Sequence, residues 1–136
     1  MTMILTEKLR EKGYKVTSIR KNIYSVLSLS PVSIRQIAGK LKKKKKRIDL
    51  VSIYRSLELF AGLGLADEVS LGDGKKRYEL VDVKRHHHHL VCDRCGVIED
   101  VLLDLENKII REAEKKSEFI ISKHSLEFFG LCKQCQ

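Results

Sequence analysis

The sequence predicts an α+β fold in two parts, and three observations carry that reading. Apolar residues recur at helical spacing through most of residues 4–61, and a strand, an Asp-Gly turn and a second strand follow at once over residues 65–80. From residue 86 the pattern changes to strand, helix, strand. All four cysteines lie in that later stretch, as two Cys-x-x-Cys pairs separated by 36 residues. Helices closed by a two-stranded wing make a winged helix-turn-helix, and the remainder makes a small α/β dimerisation domain stapled by a structural zinc site. The predicted boundaries are residues 1–81 for the first domain, 82–85 for a polar hinge and 86–136 for the second.

Composition and charge bound the function. With 136 residues, 43% of them hydrophobic, the chain can bury a core, yet each half-sized domain would be marginal without help such as a metal staple. No apolar run approaches membrane-spanning length, and the N-terminus lacks the apolar core of a secretory signal, so no membrane partner is expected. Cysteines at knuckle spacing without an export signal read as reduced thiolates in the cytoplasm. Residues 1–85 hold 20 Lys/Arg against 9 Asp/Glu, whereas residues 86–136 hold 7 against 9. A basic first half suits a polyanion such as double-stranded DNA, and the slightly acidic second half suits sensing or assembly.

In chain order, residues 4–12 give a short amphipathic helix ended by Gly13. Thr17 is placed as the N-cap of the next helix, which carries Ile19, Ile23, Val26 and Leu27 toward the Ser30-Pro31 break. Ser33-x-x-Gln36 is a capping box opening a helix through Ile34, Ile37 and Leu41. Lys42 to Arg47 follows, six consecutive cations that read as a solvated loop and add affinity for phosphate without sequence preference.

Residues 50–61 form a helix with Ile53, Leu57, Phe60 and Ala61 on its buried stripe, leaving Ser52, Tyr54, Arg55 and Glu58 largely on other faces. This is the helix expected in the major groove, where Arg55 can read guanine bidentately and Tyr54 can meet a thymine methyl or a phosphate. The alternative is structural: Tyr54 covers the core edge and Arg55 pairs with Glu58. Lys15 and Arg20 read as phosphate or minor-groove contacts, or else as ordinary helix-surface charge. With Thr17, Ser52, Tyr54 and Arg55 they complete the expected DNA-binding set. Residues 65–70 and 75–80 then make the hairpin around Gly72-Asp73-Gly74.

The second half opens on His86-His87-His88-His89, which runs through Leu90 and Val91 into Cys92. On a strand these imidazoles alternate, so His86 and His88 face one side while His87 and His89 face the other, and one strand can serve two metal centres. Cys92, Cys95, Cys132 and Cys135 form the two knuckles that tetrahedral zinc requires. Residues 97–99 continue from the first knuckle, residues 104–116 make an amphipathic helix through Leu105, Ile109 and Ala113, and residues 119–129 offer one or two strands. A sheet this small, with one helix for cover, is expected to pair with a second copy. The homodimer would then give the DNA-binding half the two-fold symmetry of a palindromic operator.

Several segments together resemble the ferric uptake regulator family of metal-dependent bacterial repressors, over nearly the whole chain. They are Lys15-Val16-Thr17-x-x-Arg20, Ser52-Ile53-Tyr54-Arg55-Ser56-Leu57, Arg77-Tyr78-Glu79-Leu80, the His-rich run into Cys92-x-x-Cys95-Gly96, and His124-Ser125-Leu126 through Gly130-Leu131-Cys132. The resemblance implies an N-terminal winged helix that binds DNA, a C-terminal dimerisation domain, and repression of metal-uptake or metal and oxidative-stress genes when metal is bound.

The resemblance also implies three ligand sets. His86, His88, Glu106 and His124 match a site within the dimerisation domain. Glu79, His87, His89 and Glu99 match a regulatory site at the hinge, and Cys92, Cys95, Cys132 and Cys135 match the structural zinc. One position departs: the family's further hinge-site histidine, just before Val32, is Pro31 here, which cannot ligate. Weaker coupling between metal and DNA is expected, or a metal content of the hinge site unlike that of the family's iron sensors. The regulatory ion is expected to be Zn2+, Fe2+ or Mn2+, all of which His/Glu sets accept.

Two other classes compete. A zinc enzyme needs an open coordination position and a general base, for which Glu79, Glu99 or Glu106 would be available. The chain lacks a His-Glu-x-x-His signature, and neither catalysis nor a small organic substrate is expected. A metal-storage module with non-specific nucleic-acid affinity is the second competitor.

Overall fold

The computed structural model describes residues 2–82 and 86–136, so most of the expected hinge, residues 83–85, lies outside the described residues. The chain divides into two compact units, Met1–Asp82 and Val83–Gln136.

The first unit runs α1 (Thr2–Glu11), α2 (Ser18–Ser25), β1 (Val32–Ser33), α3 (Ile34–Lys43), α4 (Leu50–Gly62), β2 (Ala66–Ser70) and β3 (Lys76–Leu80). Side chains that satisfy orphan backbone donors set three of the helix starts. Thr17 Oγ1 accepts the Arg20 N–H at 3.2 Å. Ser33 and Gln36 cap each other, the N–H of Gln36 donating to Ser33 Oγ at 3.2 Å and that of Ser33 to Gln36 Oε1 at 2.8 Å. Asp49 accepts from the Ser52 hydroxyl at 2.6 Å and its N–H at 3.0 Å, which holds the Asp49 carboxyl below its ordinary range.

The four helices and the wing close over one apolar core. Leu5, Leu9, Ile23, Ile37, Ile53, Leu57, Phe60 and Tyr78 are completely buried in it, and Tyr24 meets Phe60 edge-on at 5.6 Å between ring centroids. Ser56 is buried as well, whereas Ile19, expected on the stripe of α2, is 42% exposed. α2 itself ends at Ser25, so Leu27, expected on the same helix, is buried from beyond its end. The sheet of this unit has three strands and not two, in the order β1-β3-β2, because Val32 and Ser33 pair with Tyr78 and Arg77. Two residues are too few to show a strand period.

The second unit holds β4 (His88–Cys92), β5 (Ile98–Val101), α5 (Glu106–Lys115) and β6 (Glu127–Gly130), with sheet order β5-β4-β6. The knuckle after Cys92 reverses the chain tightly, the Cys92 N–H donating to the Val97 carbonyl at 3.0 Å and Gly96 sitting at φ 74°. β4 and β5 are therefore antiparallel. β6 lies parallel to β4 on the edge opposite β5: β5 has already returned the chain to the end where β4 begins, and the segment holding α5 carries it from there past β4 to that edge. Of the expected strand at 119–129, only Glu127–Gly130 pairs.

Candidate metal centres and nucleic-acid interface

Four sulfurs converge where β4 ends and β6 runs out. Cys92, Cys95, Cys132 and Cys135 each place Sγ within 4.8 Å of the others, and Cys95 and Cys132 are 3.7 Å apart. Tetrahedral zinc–thiolate bonds of about 2.3 Å put neighbouring sulfurs about 3.8 Å apart, so the spacing fits that ion. Cys92 Sγ also accepts the N–H groups of Cys132 at 3.4 Å and Cys95 at 3.5 Å, which pull its thiol down to about 6. Cys135, hydrogen-bonded to Cys132 among the other sulfurs, is pushed up to about 12. Without an ion, the cluster favours the thiolate at Cys92 and disfavours it at Cys95 and Cys135, and a divalent cation would offset that repulsion.

A second cluster gathers on β4 and the start of α5. Ligating atoms of His86, His88, Glu106 and His124 all lie within 4.8 Å of one another. The Nε2 atoms of His86 and His124 are 3.3 Å apart, and Glu106 Oε2 stands 3.0 Å from His86 and 3.7 Å from His124. His88 Nε2 meets the other carboxylate oxygen, Oε1. Metal–nitrogen bonds near 2.0–2.1 Å put tetrahedral neighbours about 3.3–3.4 Å apart, so this donor set also fits an ion. His88 Nδ1 lies 3.1 Å from the Leu126 carbonyl. That bond fixes the tautomer and leaves Nε2 as the ligating lone pair.

The opposite side of β4 carries His87 and His89, their rings 5.1 Å apart and nearly perpendicular. The expected acid from β5 needs correction. Register pairs Leu90 with Glu99 and His89 with Asp100, and residues directly opposed share a face. Glu99 thus lies on the side of Leu90 and His88, while Asp100 Oδ1 is 3.9 Å from His89 Nε2. The signal is countable: the tight Cys92 to Val97 turn fixes every pair that follows. In the first unit, Glu79 is buried on β3. Pro31 is buried too.

On the first unit, Tyr54 is 42% exposed and Arg55 is exposed beside it, with no ion pair to Glu58 among the described residues. Ser52 is committed to Asp49 at the start of α4, and Thr17 to the start of α2. Arg20 donates from Nη1 to the Lys15 carbonyl and lies 5.8 Å over the Tyr14 ring, so it braces the loop that displays Lys15. No described helix is long and apolar enough to cross a membrane.

Among known proteins, the model of the ferric uptake regulator family matches residues 11–129 of this chain. The ferric uptake regulation protein of Bacillus subtilis (strain 168) is 32% identical over 136 residues, covering 96% of this chain and 91% of that protein. The Vibrio cholerae ferric uptake regulator, whose crystal structure reveals a rearrangement of its DNA-binding domains, superposes with a TM-score of 0.77 at 30% identity, over 93% of this chain and 98% of that one. The Helicobacter pylori regulator, with three functional metal binding sites, gives 0.80 at 26% identity, over 98% of this chain and 90% of that one.

Proposed function

The chain belongs to the ferric uptake regulator family of metal-responsive transcriptional regulators, and from that premise we propose that it is a homodimeric repressor that binds palindromic duplex DNA when divalent metal is bound. The observation that carries this is the His86, His88, Glu106 and His124 cluster, spaced for an ion in a chain whose other unit is basic and mostly helical. Bound there, an ion supplies the positive charge that holds three imidazoles and a carboxylate together. The protein's part is to orient the donors, with the Leu126 carbonyl setting the tautomer of His88.

Zinc in the four-cysteine cluster is the structural ion of this reading, and Zn2+, Fe2+ or Mn2+ the regulatory one. A second regulatory ion is taken by His87 and His89 of the second unit, with Asp100 replacing Glu99 as the acid contributed by β5. Pro31 leaves that site one ligand short, so occupancy changes DNA affinity by a smaller factor than a complete site would. α5 supports the dimer: Leu105 and Ile109 on its apolar stripe are each more than half exposed, which suits burial against a second copy. Tyr54 and Arg55 read the major groove, and Lys15 meets the backbone.

Selection from a random duplex library, with and without chelator, tests the proposal. Palindromic sequences should be enriched only with metal present, alongside two or more ions per subunit by elemental analysis. Salt-sensitive binding without sequence preference, unchanged by chelator, would reduce the protein to a basic metal-binding module.

A further inference from the structure

Helix α3 ends in a turn made of lysines. The Lys46 N–H reaches back to the Leu41 carbonyl at 2.9 Å and the Lys45 N–H to that of Lys42 at 3.0 Å, the paired bonds of a Schellman cap. Its left-handed residue is Lys45, at φ 56°, the only non-glycine residue with positive φ among those described. Glycine usually takes that place because it has no Cβ to clash. Lysine here is a conformational cost borne to keep a charge.

The side chains from Lys42 to Arg47 are all exposed, and none forms an ion pair among the described residues. The acid nearest in sequence, Asp49, is committed to Ser52. One or two cations would complement the end of the helix dipole. Six in succession exceed that need and repel one another. Nor does the turn float, since Leu41 before it is buried and Ile48 after it packs against the core. It is a rigid cationic corner joining the two helices of the helix-turn-helix, immediately before the exposed N-terminal end of α4. The wing is less available for the same task. Arg77 is held bidentately by Asp73 at 2.8 and 2.9 Å, and Lys76 lies 3.9 Å from Glu68.

We propose that this turn is a phosphate clamp: Lys42 to Arg47 grip the sugar–phosphate backbone of duplex DNA beside the groove that α4 enters. The clamp rests on the first unit's being DNA-binding, and it adds affinity without adding sequence preference.

The test uses the metal-replete full chain carrying Lys43→Gln, Lys44→Gln and Lys46→Gln together, and separately Lys45→Gly. Fluorescence anisotropy measures binding to the library-enriched palindrome and to a scrambled duplex of equal length, over a series of salt concentrations. In the triple variant, affinity for both duplexes should fall by the same factor, on the order of tenfold at low salt. The slope of log affinity against log salt should shrink by about 0.9 for each phosphate no longer neutralised. Lys45→Gly should raise the melting temperature while weakening both complexes, because it relaxes the cap and removes a charge. An unchanged slope and affinity in the triple variant overturns the clamp and leaves the DNA-binding reading standing. A wild-type chain that binds neither duplex overturns both.

Discussion

The two units solve the same stability problem by different means. In the first, helices and wing bury Leu5, Leu9, Ile23, Phe60 and their neighbours in one continuous apolar core. In the second, Cys92 is the only hydrophobic residue that is buried among those described, and the buried polar groups include His88 and His89. α5 buries none of its residues and is tied instead through Glu106 to the histidines and through Glu114 to the Ile121 N–H at 2.8 Å. Removing apolar area from water stabilises the first unit whether or not a metal ion is present. The second unit has donor clusters in place of a core, so its order depends on what those donors bind. In the proposed reading, the unit assigned to sensing is the one whose order follows ion binding, and the unit assigned to DNA is the one that holds its shape without it.

That contrast can be broken most sharply at Cys92. A structural zinc contributes about 10–16 kcal/mol to folding, so Cys92→Ser, or chelation of the wild type, should unfold the second unit outright. All four tyrosines lie in the first unit, and the thermal midpoint read by tyrosine fluorescence should stay where it was. A shift of that midpoint would mean the units are not independent in stability.

The converse change is Phe60→Ala, which empties the centre of the first core and should cost about 3–5 kcal/mol. The tyrosine transition should drop while zinc content per subunit holds. Loss of zinc alongside it would contradict the division. Smaller still, Arg55→Ala should remove about 1–3 kcal/mol of base discrimination with no change in either melting transition. An unaltered binding-site preference would reassign Arg55 to structure.

The smallest effect separates the units by pH. Burial pushes the Tyr78 hydroxyl up to about 12, with Glu68 adding to the rise. The folded state therefore favours the neutral phenol. This contribution is complete below the unfolded value of about 10 and is lost as pH rises through about 12. Tyrosinate absorbance during an alkaline titration should show one tyrosine ionising last, together with loss of the first unit's helical signal. Four tyrosines titrating alike near 10 would contradict it.

Much of this was legible in the residues because local chemistry decides it. Thr17 and the Ser33–Gln36 pair announce helix starts by satisfying backbone donors within four positions, and the Cys-x-x-Cys knuckles announce themselves by spacing. What escaped depends on partners distant in sequence. The third strand of the first sheet exists only because Val32 meets Tyr78, and which part of the expected 119–129 stretch becomes a strand is decided by what pairs with β4. The exchange of Glu99 for Asp100 is a matter of register, which a single-residue step inverts and which composition cannot report.

The parallel return of β6 has a consequence in time. The two halves of the sulfur cluster are separated by β5, α5 and the segment leading into β6, so they meet only after β6 has docked beside β4. Long-range closure of this kind is slow compared with the local helix pairing that dominates the N-terminal half. A newly made chain whose helical unit has already closed therefore still carries two separated thiol pairs until that docking, and all four sulfurs can hold one ion only afterwards.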